Sequence, residues 1–242
     1  MPVVYETGAG AFSGAVSTLD TAVFTIGSQT DRVLVVGVVF NTASETLNTV
    51  VYDPAGVNES LTAFDSQFAA GNLKLRFWYR INPTAGASKI VRATWSGTAI
   101  GEQAVGAALF SGAHQTTPLT NQTTNSGNSA NPNLAAIGAA VDDDYLMDGV
   151  IAETEVSEDA GQTFVFKNGG LAFSVQDGSV AGDIMSWTTG PPGNWAQLGV
   201  RIAAAAAGGG GLALPWQPRH TNLQGPTGAT MLPGGMTPPS KV

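Results

Sequence analysis

Acidic side chains form the densest group of residues in this sequence that could do chemistry. Asp142, Asp143 and Asp144 are consecutive, and Asp148 follows them closely. Carboxylate oxygens at such spacing are the ligands that Ca²⁺ prefers. The spacing of an EF-hand loop is absent, however, and a polar turn leading into a strand over residues 145–152 explains the same residues. We favour the turn and predict no metal site.

A second acidic run could supply the paired carboxylates of a glycoside hydrolase. It consists of Glu153, Glu155, Glu158 and Asp159. No motif places two of these groups on opposite sides of a cleft. We therefore interpret the run as a solvated loop.

Nucleophilic catalysis has few candidate residues in this chain. Cysteine is absent, and the two histidines are His114 and His220. His114 lies in the polar stretch SGAHQTTP, which lacks the G-x-S-x-G turn of a serine hydrolase, and a surface turn is the better interpretation. Gly208 to Gly211 precede no helical pattern, so they form no phosphate-binding loop. The sequence predicts a protein that is not an enzyme and has no cofactor.

Tryptophans are the remaining candidates for a binding face. Trp78 shares one face of its strand with Lys74, Arg76 and Arg80, and Trp187 and Trp195 flank a Pro-Pro-Gly loop. Exposed indole rings would stack on the apolar faces of sugars, so these three residues are a candidate face for a glycan or a partner protein. The alternative, which we favour, is that Trp78 packs against a second layer of the fold or a neighbouring subunit.

The elements that would position these residues are β-strands. In the stretch 73–95, Leu73, Leu75, Phe77 and Tyr79 alternate with mostly basic residues, which is the period of a half-buried strand. Breakers over 82–86 separate it from a second alternating segment that ends at Trp95. This pattern predicts an antiparallel hairpin over 73–95.

Two apolar runs indicate strands, and the first, which is rich in Val, is predicted to be buried on both faces. They are Val33–Phe40 and Ala104–Phe110. Gly37, inside the first run, suggests a bulge or a close approach by a neighbouring backbone. The polar stretch 115–133 is predicted to be a long exposed connection with at most one short strand. Roughly a dozen short strands separated by turn signals predict an all-β, antiparallel sandwich of jelly-roll type over residues 1–205.

Composition excludes several classes of function. Of the 242 residues, 43% are hydrophobic and only 12% are charged, and the net charge is −8. A nucleic-acid partner is not expected, because binding to phosphates needs clustered Lys and Arg. The first residues lack the pattern of a signal peptide, and no apolar stretch is as long as a membrane span. We therefore expect neither a membrane partner nor a cleaved leader.

The composition changes after residue 205. An Ala/Gly linker over 206–211 leads to a segment over 212–242, the C-terminal arm, in which Pro and Gly are too frequent for an independent core. Eight basic and 18 acidic residues precede the arm, a net charge of −10, whereas the arm holds two basic residues and no acidic one. Its apolar residues predict docking on another subunit: Leu212, Leu214, Trp216, Leu223, Met231 and Leu232.

The order of these motifs resembles a known family. DRVLVVGVVF, LRFWYRINPTAGASKIVRATWSG, AVGAALFSGAHQTTPL, DDDYLMDGVIAE and WAQLGVRIAA follow one another along residues 12–205. This succession is similar to a β-sandwich module that recurs in tailed-phage structural proteins and in bacterial surface proteins. The resemblance implies a non-enzymatic, jelly-roll-like protein. It carries over no catalytic residue, and it does not extend to the arm.

Two functions are consistent with these features. The first is a virion structural protein of a tailed phage, as a capsid decoration or head-fibre subunit or a tail component, with other virion proteins and copies of itself as partners. It would lie at the surface of the particle. The alternative is a glycan-binding adhesin module on a bacterial surface, with a host surface glycan as its partner.

Overall fold

The computed structural model describes residues 1–42, 44–97, 101–134, 136–137, 143–178 and 184–205. Within these ranges the chain forms strands and no helix. The described residues therefore include no helix that is long and apolar enough to cross a membrane. The strands, in chain order, are β1 (Val4–Ser13), β2 (Thr18–Asp20), β3 (Phe24–Ile26), β4 (Val33–Asn41), β5 (Leu47–Tyr52), β6 (Glu59–Ser60), β7 (Thr62–Ala70), β8 (Leu73–Ile81), β9 (Gly86–Lys89), β10 (Val91–Trp95), β11 (Gln103–Ser111), β12 (Leu119–Ser129), β13 (Tyr145–Ala152), β14 (Val156–Glu158), β15 (Gln162–Asn168), β16 (Leu171–Asp177), β17 (Trp187–Thr189) and β18 (Gly193–Ile202).

The predicted central strand occupies the middle of an antiparallel sheet. This central sheet has the order β1-β11-β4-β8-β7, so β4 is hydrogen-bonded on both edges. The residues of β4 from Val33 to Phe40 are buried, and those of β11 from Gln103 to Phe110 are buried as well. Uninterrupted apolar composition correctly predicted that β4 is covered on both faces, because such a strand needs no polar side, and the same burial is found in β11.

The fold is β-sandwich-like, with three layers of sheet rather than two. Val35 and Phe77 of the central sheet pack with Phe173 and Leu198 of a five-stranded outer sheet, whose order is β12-β18-β13-β16-β15. The opposite face of the central sheet packs against a four-stranded outer sheet of order β2-β10-β5-β6. Alternation along a strand therefore sends one set of apolar residues to each of two separate cores.

Phe173 explains why glycines interrupt the buried strands. Its ring lies against Gly37 of β4, Gly106 of β11 and Gly149 of β13. A Cβ atom at these positions would be 2.4, 2.3 and 2.7 Å, respectively, from atoms of the ring. The expectation for Gly37 was wrong, because β4 keeps a regular register with both neighbours and the group that approaches is an aromatic side chain.

We expect Gly37→Ala to destabilise the protein by about 2 kcal/mol or more, because adding a methyl group to a packed core forces neighbours to move. Phe173→Leu removes ring atoms that the new methyl would meet. The double variant should therefore be more stable than the sum of the two single changes predicts, as measured by urea unfolding. Gly14→Ala is the control, since a Cβ there would meet no atom within 4 Å. Additive effects at Gly37 and Phe173 would contradict this packing.

The hairpin predicted over 73–95 is not formed. Its first arm is β8 in the central sheet, and its second arm is β10 in the four-stranded outer sheet, where it pairs with β2 and β5. Both edges of β8 are already taken by β4 and β7, so no edge remains for β10. The breakers over 82–86, with Asn82 at φ 46°, lead the chain from one layer to another.

The polar stretch 115–133 was predicted only in part, because its strand is long rather than short. It contains β12, an eleven-residue strand that pairs with β18 at one edge of the five-stranded outer sheet. Leu119 is buried, but most of the Thr, Asn and Ser side chains that follow are exposed or half-buried. An edge strand with this exposure needs no apolar alternation, so its sequence looks like that of a loop.

Candidate functional site

The three candidate tryptophans are buried and offer no open ring face. Trp78, Trp187 and Trp195 are 6%, 1% and 5% exposed, respectively. Trp78 lies in the core beneath the four-stranded outer sheet, with the Arg76 guanidinium 5.3 Å from the centre of its ring. The favoured interpretation of Trp78, packing against a second layer, is confirmed. Stacking on a sugar needs an accessible ring face, and these side chains leave little of their rings accessible in the chain by itself.

Asp144 of the acidic cluster anchors the end of the last strand. Its side chain is 1% exposed and its Oδ2 lies 2.5 Å from a guanidinium nitrogen of Arg201 on β18. Its Oδ1 accepts a hydrogen bond of 2.8 Å from the backbone N–H of Ala204. Asp143 contributes its backbone carbonyl, which accepts a 2.7 Å bond from Val3. Asp142 lies outside the described residues.

Asp148 does not join this cluster, because it lies inside β13 and is fully buried. Its carboxylate accepts hydrogen bonds from Ser174 Oγ at 2.6 Å, Trp187 Nε1 at 2.7 Å and Gln197 Nε2 at 2.7 Å. All three donors are neutral. Sequence reasoning missed this role, although a single acid within an otherwise buried strand was the available signal.

Further hydrogen bonds extend the network around Asp148. Gln162 Nε2 donates to Ser174 Oγ at 2.7 Å, and Gln162 Oε1 accepts from the backbone of Ser186 at 3.0 Å. Gln197 Nε2 also donates to the carbonyl of Met185 at 3.0 Å. The network thus fastens the segment before β17 onto the outer face of the five-stranded sheet. Its geometry is that of a structural polar core.

Burial raises the pKa of Asp148 to about 6, although hydrogen bonds from Ser174, Trp187 and Gln197 act in the opposite direction. A carboxyl whose folded-state pKa lies above its unfolded value stabilises the fold below the unfolded pKa. That contribution is lost as the pH rises through the folded value. The charged form is tolerated above this pH only because three donors solvate it.

We expect the free energy of unfolding to fall by on the order of 3 kcal/mol between about pH 4 and pH 7 because of Asp148. Asp148→Asn should lose this dependence of the free energy of unfolding on pH. Its absolute stability will also change, because an amide cannot accept all three hydrogen bonds. Denaturant unfolding of both proteins across this range measures the difference. Hydrogen bonds lower the pKa values of Glu45, Asp53 and Glu153, so these groups add stability as the pH rises through the acidic end of this range, in the direction opposite to Asp148. Because all three are present in both proteins, their contributions cancel in the comparison. Parallel pH profiles would rule out a raised pKa at Asp148.

The second acidic run is dispersed among separate interactions. Glu153 is hydrogen-bonded to Asn194, Glu155 lies 3.5 Å from Lys167, and Asp159 accepts from Ser186 and from Thr188. Over the ranges that the structure describes, no group of three or more His, Asp or Glu residues could hold a metal ion. The structure therefore does not gather these carboxylates into one site.

His114 caps a turn. Its Nδ1 accepts hydrogen bonds from the backbone N–H groups of Thr116 at 3.3 Å and Thr117 at 3.1 Å. This ring nitrogen is thus occupied by its own turn, as the surface-turn interpretation predicts. His220 and the six apolar residues predicted for docking, Leu212, Leu214, Trp216, Leu223, Met231 and Leu232, lie outside the described residues.

Comparisons of the chain with protein-family models, curated proteins and solved structures found no match.

Proposed function

We propose that this chain is a non-enzymatic structural protein of a tailed-phage virion, built on a jelly-roll-like sandwich and docked on neighbouring subunits by its C-terminal arm. It would serve as a capsid decoration or head-fibre subunit or as a tail component. The observation that best supports this proposal is a contrast between two parts of the chain. The domain has its own apolar cores, whereas the arm is apolar in part but too rich in Pro and Gly for its sequence to predict an independent core.

The domain uses its apolar side chains internally. In the described part of the chain, few large hydrophobic residues are exposed: Met1, Val4, Val23, Val57 and Ile184. So small a number is ordinary for a protein surface and does not by itself indicate a protein-binding patch. The apolar residues of the arm are the better candidates for a contact with another subunit.

The carboxylates and the histidine of the domain favour a binding role over catalysis. Asp144, Asp148 and His114 all hold backbone or core groups in place through the hydrogen bonds given above. A general acid or base must instead present its proton-transferring atom to a substrate. A rigid β scaffold repeated many times on a particle would also strengthen weak individual contacts through multivalency.

Mass spectrometry of purified phage particles tests this proposal. The chain should be present in many copies per particle, in a fixed ratio to the major structural proteins. Its recovery only as a free monomer outside particles would contradict the proposal. So would an enzymatic turnover that is abolished by Asp143→Asn or His114→Ala.

A further inference from the structure

A polar cleft opens between the central sheet and the five-stranded outer sheet. Its volume is about 480 Å³, which falls within the size range of small-molecule sites. It is lined by residues from five separate places in the chain: Asn41 at the end of β4, Asn72 in the turn after β7, Ser126 on β12, Glu153 after β13, and Asn194 on β18. These residues converge only in the folded protein.

Glu153 is held in one orientation at this cleft. Its Oε2 accepts a 3.0 Å hydrogen bond from the backbone N–H of Asn194, and its Oε1 accepts a 2.8 Å bond from Asn194 Nδ2. The backbone N–H of Glu153 donates back to the Asn194 carbonyl at 3.0 Å. Asn194 is fixed in turn by Asn128, whose Nδ2 donates to its Oδ1 at 3.1 Å. Hydrogen bonds from Asn194 also lower the pKa of Glu153, so that the carboxylate is ionised at neutral pH.

The other polar side chains of the cleft have unused hydrogen-bonding capacity. Within the described part of the chain, the side chains of Asn41, Asn72 and Ser126 make no hydrogen bond. Each of them offers both a donor and an acceptor, as does a ligand hydroxyl. An ammonium ion only donates and would leave the amide N–H groups unpaired, and an anion would be repelled by Glu153. The lining is thus complementary to a neutral ligand with several hydroxyl groups.

Apolar surface is present beside these groups. Leu73 and Trp195 also line the cleft, and Gly127 lies opposite Trp195 in the β12–β18 register. A Cβ atom at Gly127 would lie 3.1 Å from Cζ2 of the indole, so the absence of a side chain lets the ring extend along β12. Because Leu73 and Trp195 are only 9% and 5% exposed, they help to close the cleft and do not form a stacking platform, so recognition of a ligand would come from the polar side chains.

We propose that this cleft is a binding site for a neutral carbohydrate, with Glu153 and the amides of Asn41, Asn72 and Asn194 as hydrogen-bonding partners of its hydroxyls. The carboxylate accepts from two hydroxyls, and the amides supply the complementary donors. The site shares only Trp195 with the three tryptophans predicted from the sequence. This inference goes beyond the virion proposal and does not depend on it, since every residue that lines the cleft precedes the arm.

The test uses the full chain on an array of immobilised neutral oligosaccharides containing hexoses and N-acetylhexosamines, with sialylated chains and the amine-bearing polymer chitosan as further probes. Wild type should bind at least one neutral chain. Glu153→Gln should weaken that binding at least tenfold, because the amide places an N–H₂ group where an acceptor is needed. Ser126→Trp should abolish binding by filling the cleft from an exposed position on β12.

Thr124→Trp is the matched control, since Thr124 is exposed on the same strand and face but does not line the cleft. It should bind as wild type does, and thermal unfolding should show that all three variants fold. Binding to no neutral chain would overturn the proposal. So would binding confined to sialylated chains or chitosan, or neutral binding that neither Glu153→Gln nor Ser126→Trp reduces.

Discussion

Val36→Asp is expected to leave no folded protein. Val36 is fully buried in the middle strand of the central sheet, in register with Ala107 on one side and Trp78 on the other. A carboxylate at this position would have apolar neighbours and no basic partner. An unpaired buried charge costs several kcal/mol, or the group must become protonated at a similar cost, against a total stability of about 5–15 kcal/mol for a typical domain.

Val4→Asp provides a matched control for this variant. It makes the same chemical change in a strand, but Val4 is 47% exposed at the edge of the central sheet. Circular dichroism and soluble yield should show a native-like Val4→Asp protein and an unfolded or aggregated Val36→Asp protein. A cooperative thermal transition for Val36→Asp would mean that β4 is not the centre of the fold.

Composition was sufficient to predict that β4 is central, because burial on both faces is visible in its residues. Val33–Phe40 and the run in β11 contain no charged residue, and both lie in the interior of the central sheet. Composition does not predict which strands pair. The alternation in β8 identifies its two faces but does not identify the strands that form hydrogen bonds with it, so β10 was assigned to the wrong sheet.

The third layer could not be predicted for the same reason. The row that includes Lys74, Arg76 and Trp78 has the composition of a solvent-facing surface, but the four-stranded outer sheet covers part of it. Long basic side chains reach the edge of such a layer while their stems remain covered. Trp78 is therefore buried by a contact that is long-range in the sequence, and alternation alone gave no information about that contact.

The candidate site depends even more strongly on long-range contacts. Glu153 and Asn194 are 41 residues apart in the sequence, and Asp148 receives donors from Ser174, Trp187 and Gln197 on three other segments. No local motif marks either arrangement. Sequence reasoning identified the acidic residues but grouped them by proximity in the chain, whereas strand register divides them between a buried network and the surface.

Truncation after Ala207 is expected to leave the domain folded and to abolish its incorporation into particles. The strands and cores described above are formed by residues up to Ala204, so the thermal transition should change little. Assembly should fail, because the proposed docking residues are removed together. Trp216→Ala is a smaller test of the same contact. Burial of one large side chain contributes about 2–3 kcal/mol, so the variant should be incorporated at reduced occupancy.

Arg219→Ala is the control within the arm, since it removes a charge and leaves the apolar residues unchanged. If apolar burial governs the contact, Arg219→Ala should reduce incorporation less than Trp216→Ala does. If attraction between the arm and acidic domains governs it, Arg219→Ala should reduce incorporation more, and incorporation should depend on salt. Copy number per particle, measured by quantitative mass spectrometry, distinguishes these two kinds of contact. If the truncated chain is incorporated as well as the full chain, the arm is not the docking element, and the contact must be sought on the exposed polar edge that β12 presents.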